Sequence, residues 1–120
     1  MSEELVHLEV SGGVATVTLD SPSNRNALSR GLVSDLQQHL DAALADNRAR
    51  LIVLTGAGPV FCSGADLAYI QRISKFDFNQ NQQDSSNLMK LFLQIYTHRK
   101  PVIALVQGPA LAGGCGLATV

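Results

Sequence analysis

Cysteine is scarce in this chain: Cys62 and Cys115 are the only two in 120 residues. They stand far apart and form no CxxC, which excludes a fold stapled by disulfides. Histidine is as thinly spread. His7, His39 and His98 fall at no metal-ligand spacing, so no metal site is expected. Neither charge is in excess, since nine basic and ten acidic residues give a formal net charge of -1. There is no basic stripe to bind nucleic acid or an anionic membrane. No apolar run is long enough to span a bilayer, and no basic segment followed by an apolar one marks a secretory leader. A cytoplasmic or matrix-like location is the expectation that follows.

What is present reads as a folded domain. Hydrophobic residues make up 46% and charged residues 16%, a globular balance with a modest core, and residues 1–120 fit one domain. Val6 to Val10 and Val14 to Leu19 alternate apolar and polar residues around "SGG", which predicts a β-hairpin. "DSPSNRNALS" is a loop. From about Ser29 to Asp46, Leu32, Val33, Leu36, Leu40, Ala43 and Leu44 recur at helical spacing, with Ser29 as N-cap. The apolar run "LIVLTG" predicts a strand covered on both faces. "GAGPVFCSGADL" is a glycine-punctuated loop, and Leu67, Ile70 and Ile73 suggest a short helix after it. "SKFDFNQNQQDSS" reads as a mobile, exposed linker. Leu88, Met89, Leu91, Phe92, Ile95 and Tyr96 form a second amphipathic helix to about Arg99, broken by Pro101. "VIALVQG" predicts another buried strand, and "PALAGGCGLATV" leads into a buried helix.

Strands alternating with helices imply right-handed crossovers and an α/β layered domain. The last helix is apolar and needs a covering surface, and little sequence remains to supply one. The chain therefore reads as an N-terminal portion of a larger domain, or as a small domain that borrows a layer from a partner chain. On the first reading, residues 1–120 alone are expected to fold poorly.

Both glycine-rich loops join a strand to a helix, where open α/β sheets bind ligands. Neither is a phosphate cradle: the third glycine position of G-x-G-x-x-G falls on Phe61, and "AGGCG" has no Lys-Ser/Thr after it. Glycines at such places serve turns. They also let two backbone N–H groups approach one oxygen, as in an oxyanion hole.

"NRNAL" (Asn24 to Leu28), "FCSGADL" (Phe61 to Leu67) and "KPVIALVQGPALAGGCGLA" (Lys100 to Ala118) occur in the order and at the separations of the crotonase family, the enoyl-CoA hydratase/isomerase superfamily, which the chain resembles from the first hairpin to its last residue. The resemblance implies a crotonase-like spiral of ββα units, of which residues 1–120 are the N-terminal portion. It implies an acyl-CoA or enoyl-CoA thioester as substrate, with coenzyme A part of that substrate and no further cofactor. It implies a thioester enolate held by the backbone N–H groups of Ala65 and Gly113. Arg25, Ala27, Ala65, Asp66, Leu67 and Ala68 become candidates for contact with coenzyme A. A homo-trimer or hexamer is the family expectation.

One departure stands out. The family's hydratases carry a catalytic glutamate after "GGC", and this chain has Gly116 there. Hydration leads as the implied activity, with isomerase, hydrolase or decarboxylase chemistry, or a non-catalytic CoA-binding module, as alternatives. The remaining reactive side chains read as structural. Cys62 and Cys115 are expected as buried small apolar residues, His98 as a helix-end cation, His39 as solvated, Asp66 as a helix-start acid and Asp20 as turn chemistry.

Overall fold

The structure is a computed structural model and describes residues 4–64 and 78–120. β1 (Val6–Ser11) and β2 (Val14–Leu19) pair antiparallel, with Ser11 opposite Val14 across a two-residue loop. Gly12 and Gly13 fill that loop at φ 59° and 83°, which matches the twist of the flanking strands and which side chains resist. The register sets Val6, Leu8 and Val10 across from Leu19, Val17 and Ala15, so one face of the hairpin is apolar.

A short 3₁₀ turn (Pro22–Asn24) leads to α1 (Arg30–Ala45). Ser29 caps α1, its Oγ accepting from Leu32 N–H at 3.2 Å. Leu32, Val33, Leu36, Leu40 and Ala43 form its buried stripe and pack on β1 and β2. Leu44 of the expected stripe points outward. β3 (Leu51–Gly56) runs parallel to β2, and β4 (Val102–Ala104) parallel to β3, giving the sheet order β1-β2-β3-β4. α2 (Phe78–Tyr96) packs along α1 and buries Leu91 and Ile95, and α3 (Gly113–Thr119) closes the described chain. The hairpin, both long helices and the α/β crossovers agree with the sequence patterns, except that Met89 and Tyr96 of the second helix's expected stripe are exposed.

Several expectations need correction. β3 is buried on one face only: Ile52 and Leu54 lie inside, while Leu51, Val53 and Thr55 are half-buried. β4 is short and is not a buried strand, because Ile103, Leu105 and Val106 are exposed among the described residues. An apolar run marks a strand that wants cover without saying which face receives it. α3 is buried only at Gly114 and Leu117. The polar stretch read as a linker is helical from Phe78 onward, because Asn, Gln and Ser report a wet helix face rather than a missing helix. α2 stops at Tyr96 rather than Arg99, as the chain tightens with His98 N–H bonding Ile95 O at 3.3 Å.

The cation found at a helix end is Lys100 rather than His98, and the helix it meets is α1. Lys100 Nζ donates to Ala43 O and Asp46 O, both at 2.8 Å, and so caps the C-terminus of α1. His98 Nδ1 accepts from Lys100 N–H at 3.1 Å, and Nε2 faces Leu40 O at 3.2 Å. His39 is half-buried, with Nδ1 on Asp35 O at 2.7 Å, rather than simply solvated. The short helix expected around Leu67 to Ile73 lies outside the described residues.

Candidate active site

Three loops meet beyond the carboxyl ends of β2, β3 and β4. The first follows β2. Arg25 and Asn26 both adopt the left-handed conformation, at φ 57° and 56°, which turns the chain back toward the sheet. Arg25 is exposed, Asn26 is buried and Ala27 is buried. The second loop follows β3. Fully buried Phe61 anchors it, and Phe61 N–H bonds Pro109 O at 3.0 Å. The third follows β4 and runs beside the second: Cys62 and Ala110 form a parallel bridge, and Leu111 N–H bonds Cys62 O at 3.0 Å.

The glycines are where these backbones touch. Gly64 has φ 91°, and a Cβ on it would lie 2.8 Å from Leu111 O and 3.2 Å from Gly113 N. A Cβ on Gly114 would overlap the Cys62 carbonyl. The two glycine loops are thus in backbone contact, and a side chain at either position would push them apart. Ala112 turns the chain into α3 at φ 49° and ψ −117°, a strained conformation for a residue with a Cβ. The next N–H groups are taken, Gly114 N–H by Leu111 O and Cys115 N–H by Ala112 O. The Gly113 N–H has no acceptor among the described residues.

Gly113 faces a cavity of about 610 Å³ between α1, α2 and the start of α3. Leu28, Val33 and Leu88 give it apolar walls, and Ser34, Gln37 and Asn87 add polar groups. At the rim Arg30 grips Asp84 through Nε–Oδ1 at 3.0 Å and Nη2–Oδ2 at 2.8 Å, a fork that ties α2 to α1 across the opening. Gly116 lies one helical turn on from Gly113. A Cβ there would stand 3.5 Å and 3.6 Å from the Phe92 ring, in ordinary contact with α2.

Among the sequence-predicted residues, then, Gly113 lines the cavity, Gly116 faces α2 beside it, Arg25 sits exposed on the first loop and Ala27 is enclosed. Ala65, Asp66, Leu67 and Ala68 lie outside the described residues. Burial pushes the Cys62 thiol up, partly offset by a Gly64 N–H bond to its sulfur. Cys115 is exposed rather than buried, because its face of α3 has no cover among the described residues. Asp20 is paired with His7, Oδ2 to Nε2 at 2.8 Å. Among the described residues no cluster of His, Cys, Asp and Glu could hold a metal, and no helix is long and apolar enough to cross a membrane. Asn26, Leu28, Leu88 and Ala112 are not singled out as site residues by the sequence. Only tertiary contact separates buried Asn26 from half-buried Asn24 two residues earlier.

A family profile described as Enoyl-CoA hydratase/isomerase matches residues 9–120. A Thermus thermophilus protein named as a candidate enoyl-CoA hydratase is 47% identical over 107 residues, covering 89% of this chain and 42% of that protein. The crotonyl-CoA hydratase of Syntrophomonas wolfei is 33% identical over 119 residues, covering 98% of this chain and 45% of that protein. The crystal structure of an enoyl-CoA hydratase from Shewanella pealeana aligns with a TM-score of 0.89 at 33% identity, over 94% of this chain and 43% of that one. The chain thus spans about two fifths of the length of these relatives. Fold, loop order and sequence agree, and the chain belongs to the enoyl-CoA hydratase/isomerase family, as an N-terminal part of the crotonase fold.

Proposed function

We propose that this chain forms the thioester-binding part of an acyl-CoA enzyme that adds water to an enoyl-CoA. The observation that carries the reading is the Gly113 N–H, without an acceptor among the described residues, at a cavity large enough for an acyl group and in contact with the Gly64 loop. Gly113 N–H and Ala65 N–H are the proposed donors to the thioester carbonyl oxygen. When water adds at the β-carbon, electron density moves through the conjugated system onto that oxygen. Two aimed N–H groups stabilise the resulting enolate, each typically worth about a hundred- to a thousandfold in rate. The attacking water gives up a proton as it adds, and collapse of the enolate takes one up at the α-carbon, so the net change is addition of one water. Exposed Arg25, with Asp66, Leu67 and Ala68, is proposed to contact coenzyme A, along with the backbone near Ala27. Coenzyme A is substrate here, and no separate cofactor is required. A cytoplasmic homo-trimer or hexamer, and a lyase whose activity needs more than residues 1–120, complete the proposal.

Gly116 supports a second reading. With no side chain there, this position supplies no acid or base to activate water; a base contributed from elsewhere can instead take a proton from the acyl chain, giving a dienolate on the thioester oxygen, and return it to the other end of the conjugated system. Double-bond migration is then the chemistry. Incubating the enzyme encoded by the complete reading frame with a short enoyl-CoA separates the two. A product heavier by one water supports hydration, and a product of unchanged mass with a moved double bond supports isomerisation. If enoyl-CoA is neither bound nor turned over, the acyl-CoA reading fails.

A further inference from the structure

The loop from Asn24 to Leu28 grips the glycine loop along its whole length. Asn26, only 1% exposed, sits at the centre. Its Oδ1 accepts from Ser21 N–H at 2.7 Å. Its Nδ2 donates toward Ala57 O at 3.2 Å, Val60 O at 2.9 Å and Phe61 O at 3.2 Å. One end of the amide faces an N–H and the other faces carbonyls, so chemistry alone fixes its orientation. Further along, Ser63 N–H bonds Arg25 O at 3.1 Å, and Ser63 Oγ bonds Asn24 O at 3.2 Å. Leu28 N–H bonds Gly64 O at 2.7 Å. The Leu28 side chain also reaches the other glycine loop, since a Cβ on Gly113 would lie 3.0 Å from Leu28 Cδ1. One short segment therefore holds the Gly64 backbone and touches Gly113.

We propose that Asn26 is a positioning residue for the thioester site: its buried amide fixes where the Gly64 loop stands against the loop that carries Gly113, and so where their N–H groups converge. The proposal rests on the oxyanion reading above. An asparagine that served stability alone could spend its bonds anywhere. The Nδ2 bonds all fall on residues 57–61, which lead directly into Gly64. The left-handed φ of 56° is one that asparagine and glycine tolerate better than other residues. Asn26→Gly therefore deletes the amide and leaves the backbone unstrained.

The test uses the enzyme encoded by the complete reading frame and a short enoyl-CoA carrying a heavy isotope at the thioester carbonyl carbon. Isotope-edited infrared of the bound substrate reads the polarisation of that carbonyl, which loss of stability by itself does not change. Asn26→Gly is expected to keep KM near the parent value, to lower kcat about ten- to a hundredfold, and to shrink the red shift of the carbonyl band; misplacement of about 1 Å at a reacting centre is enough for a hundredfold. Ser63→Ala, which removes a single bond of the same clamp, is expected to move both readouts the same way by less. A red shift and kcat equal to the parent's in Asn26→Gly overturn the proposal while leaving the oxyanion reading intact. A parent enzyme that itself shows no red shift overturns that reading and this proposal with it. If Asn26→Gly does not fold, Ser63→Ala decides, and an unchanged band and kcat there overturn the proposal.

Discussion

Alanine at position 114 is expected to lower both stability and turnover, while alanine at position 116, on the same short helix, lowers neither. A Cβ on Gly114 would overlap the Cys62 carbonyl oxygen, 2.8 Å from the carbonyl carbon and 2.9 Å from Cys62 Cβ. Non-bonded carbons settle at about 3.5–4.0 Å, so α3 has to lift by roughly 1 Å. That movement stretches the 3.0 Å bond from Leu111 N–H to Cys62 O. Overpacking of this kind costs about 1–3 kcal/mol, and the better helix propensity of alanine returns up to about 1 kcal/mol, leaving a net loss of up to about 2 kcal/mol once that return is taken in full. Gly113, the proposed donor to the thioester oxygen, moves with the helix, and on that reading about 1 Å is worth roughly a hundredfold in rate. At Gly116 the new Cβ meets the Phe92 ring at 3.5 Å, an ordinary contact, and the helix gains about 0.5–1 kcal/mol. Urea unfolding followed by circular dichroism, run beside steady-state kinetics on a short enoyl-CoA, reads both quantities. A Gly114→Ala enzyme as stable and as fast as its parent refutes the close seating of α3 on Cys62.

Gly116→Glu is expected to raise hydration of a short enoyl-CoA by about a hundredfold, the usual worth of a positioned acid or base; unchanged kinetics with the fold intact show that position 116 does not face the acyl group. Ala112→Gly relieves a positive φ of 49° and is expected to stabilise by about 1 kcal/mol, read as a higher urea midpoint. Lys100→Met strips the charged cap from Ala43 O and Asp46 O and is expected to cost about 1.5–3 kcal/mol; an unchanged midpoint refutes the capping role. Hydrogen bonds from Arg48 hold the Asp46 carboxyl down from 3.8 to about 2. Its folded pKa lies below its unfolded one, so this small contribution is present above about pH 4 and fades as pH falls toward 2. Asp46→Asn removes that slope from urea midpoints measured between pH 5 and 2, and an identical slope in both proteins refutes the assignment.

Local patterns were legible where one residue's neighbours decide its state. The alternation of "VHLEV" and "VATVTL" around two glycines specifies a hairpin with no help from the rest of the chain. The stripe from Leu32 to Ala43 behind Ser29 specifies α1. Burial was harder to read. "LIVLTG" and "VIALVQG" carry the same apolar signal, yet β3 is covered on one face and β4 hardly at all, because cover is supplied by other segments. The Asn/Gln-rich start of α2 gives no helix signal of its own for a related reason, since its helix is braced by packing on α1 and by the Arg30–Asp84 fork.

By itself the sequence determined the strand and helix periods, the places where the chain must turn, and a motif order specific enough to state a family. Those follow from short-range sterics and from apolar spacing, which are properties of neighbouring residues. Only the tertiary structure decided that Gly64 and Gly113, almost fifty residues apart, stand in backbone contact, and that Asn26 rather than Asn24 is the buried clamp. It also decided that Gly114 has no room for a methyl group while Gly116 has. These are matters of distances below 4 Å between segments remote in sequence, and no local pattern encodes such a distance until the sheet and its helices have brought the loops together.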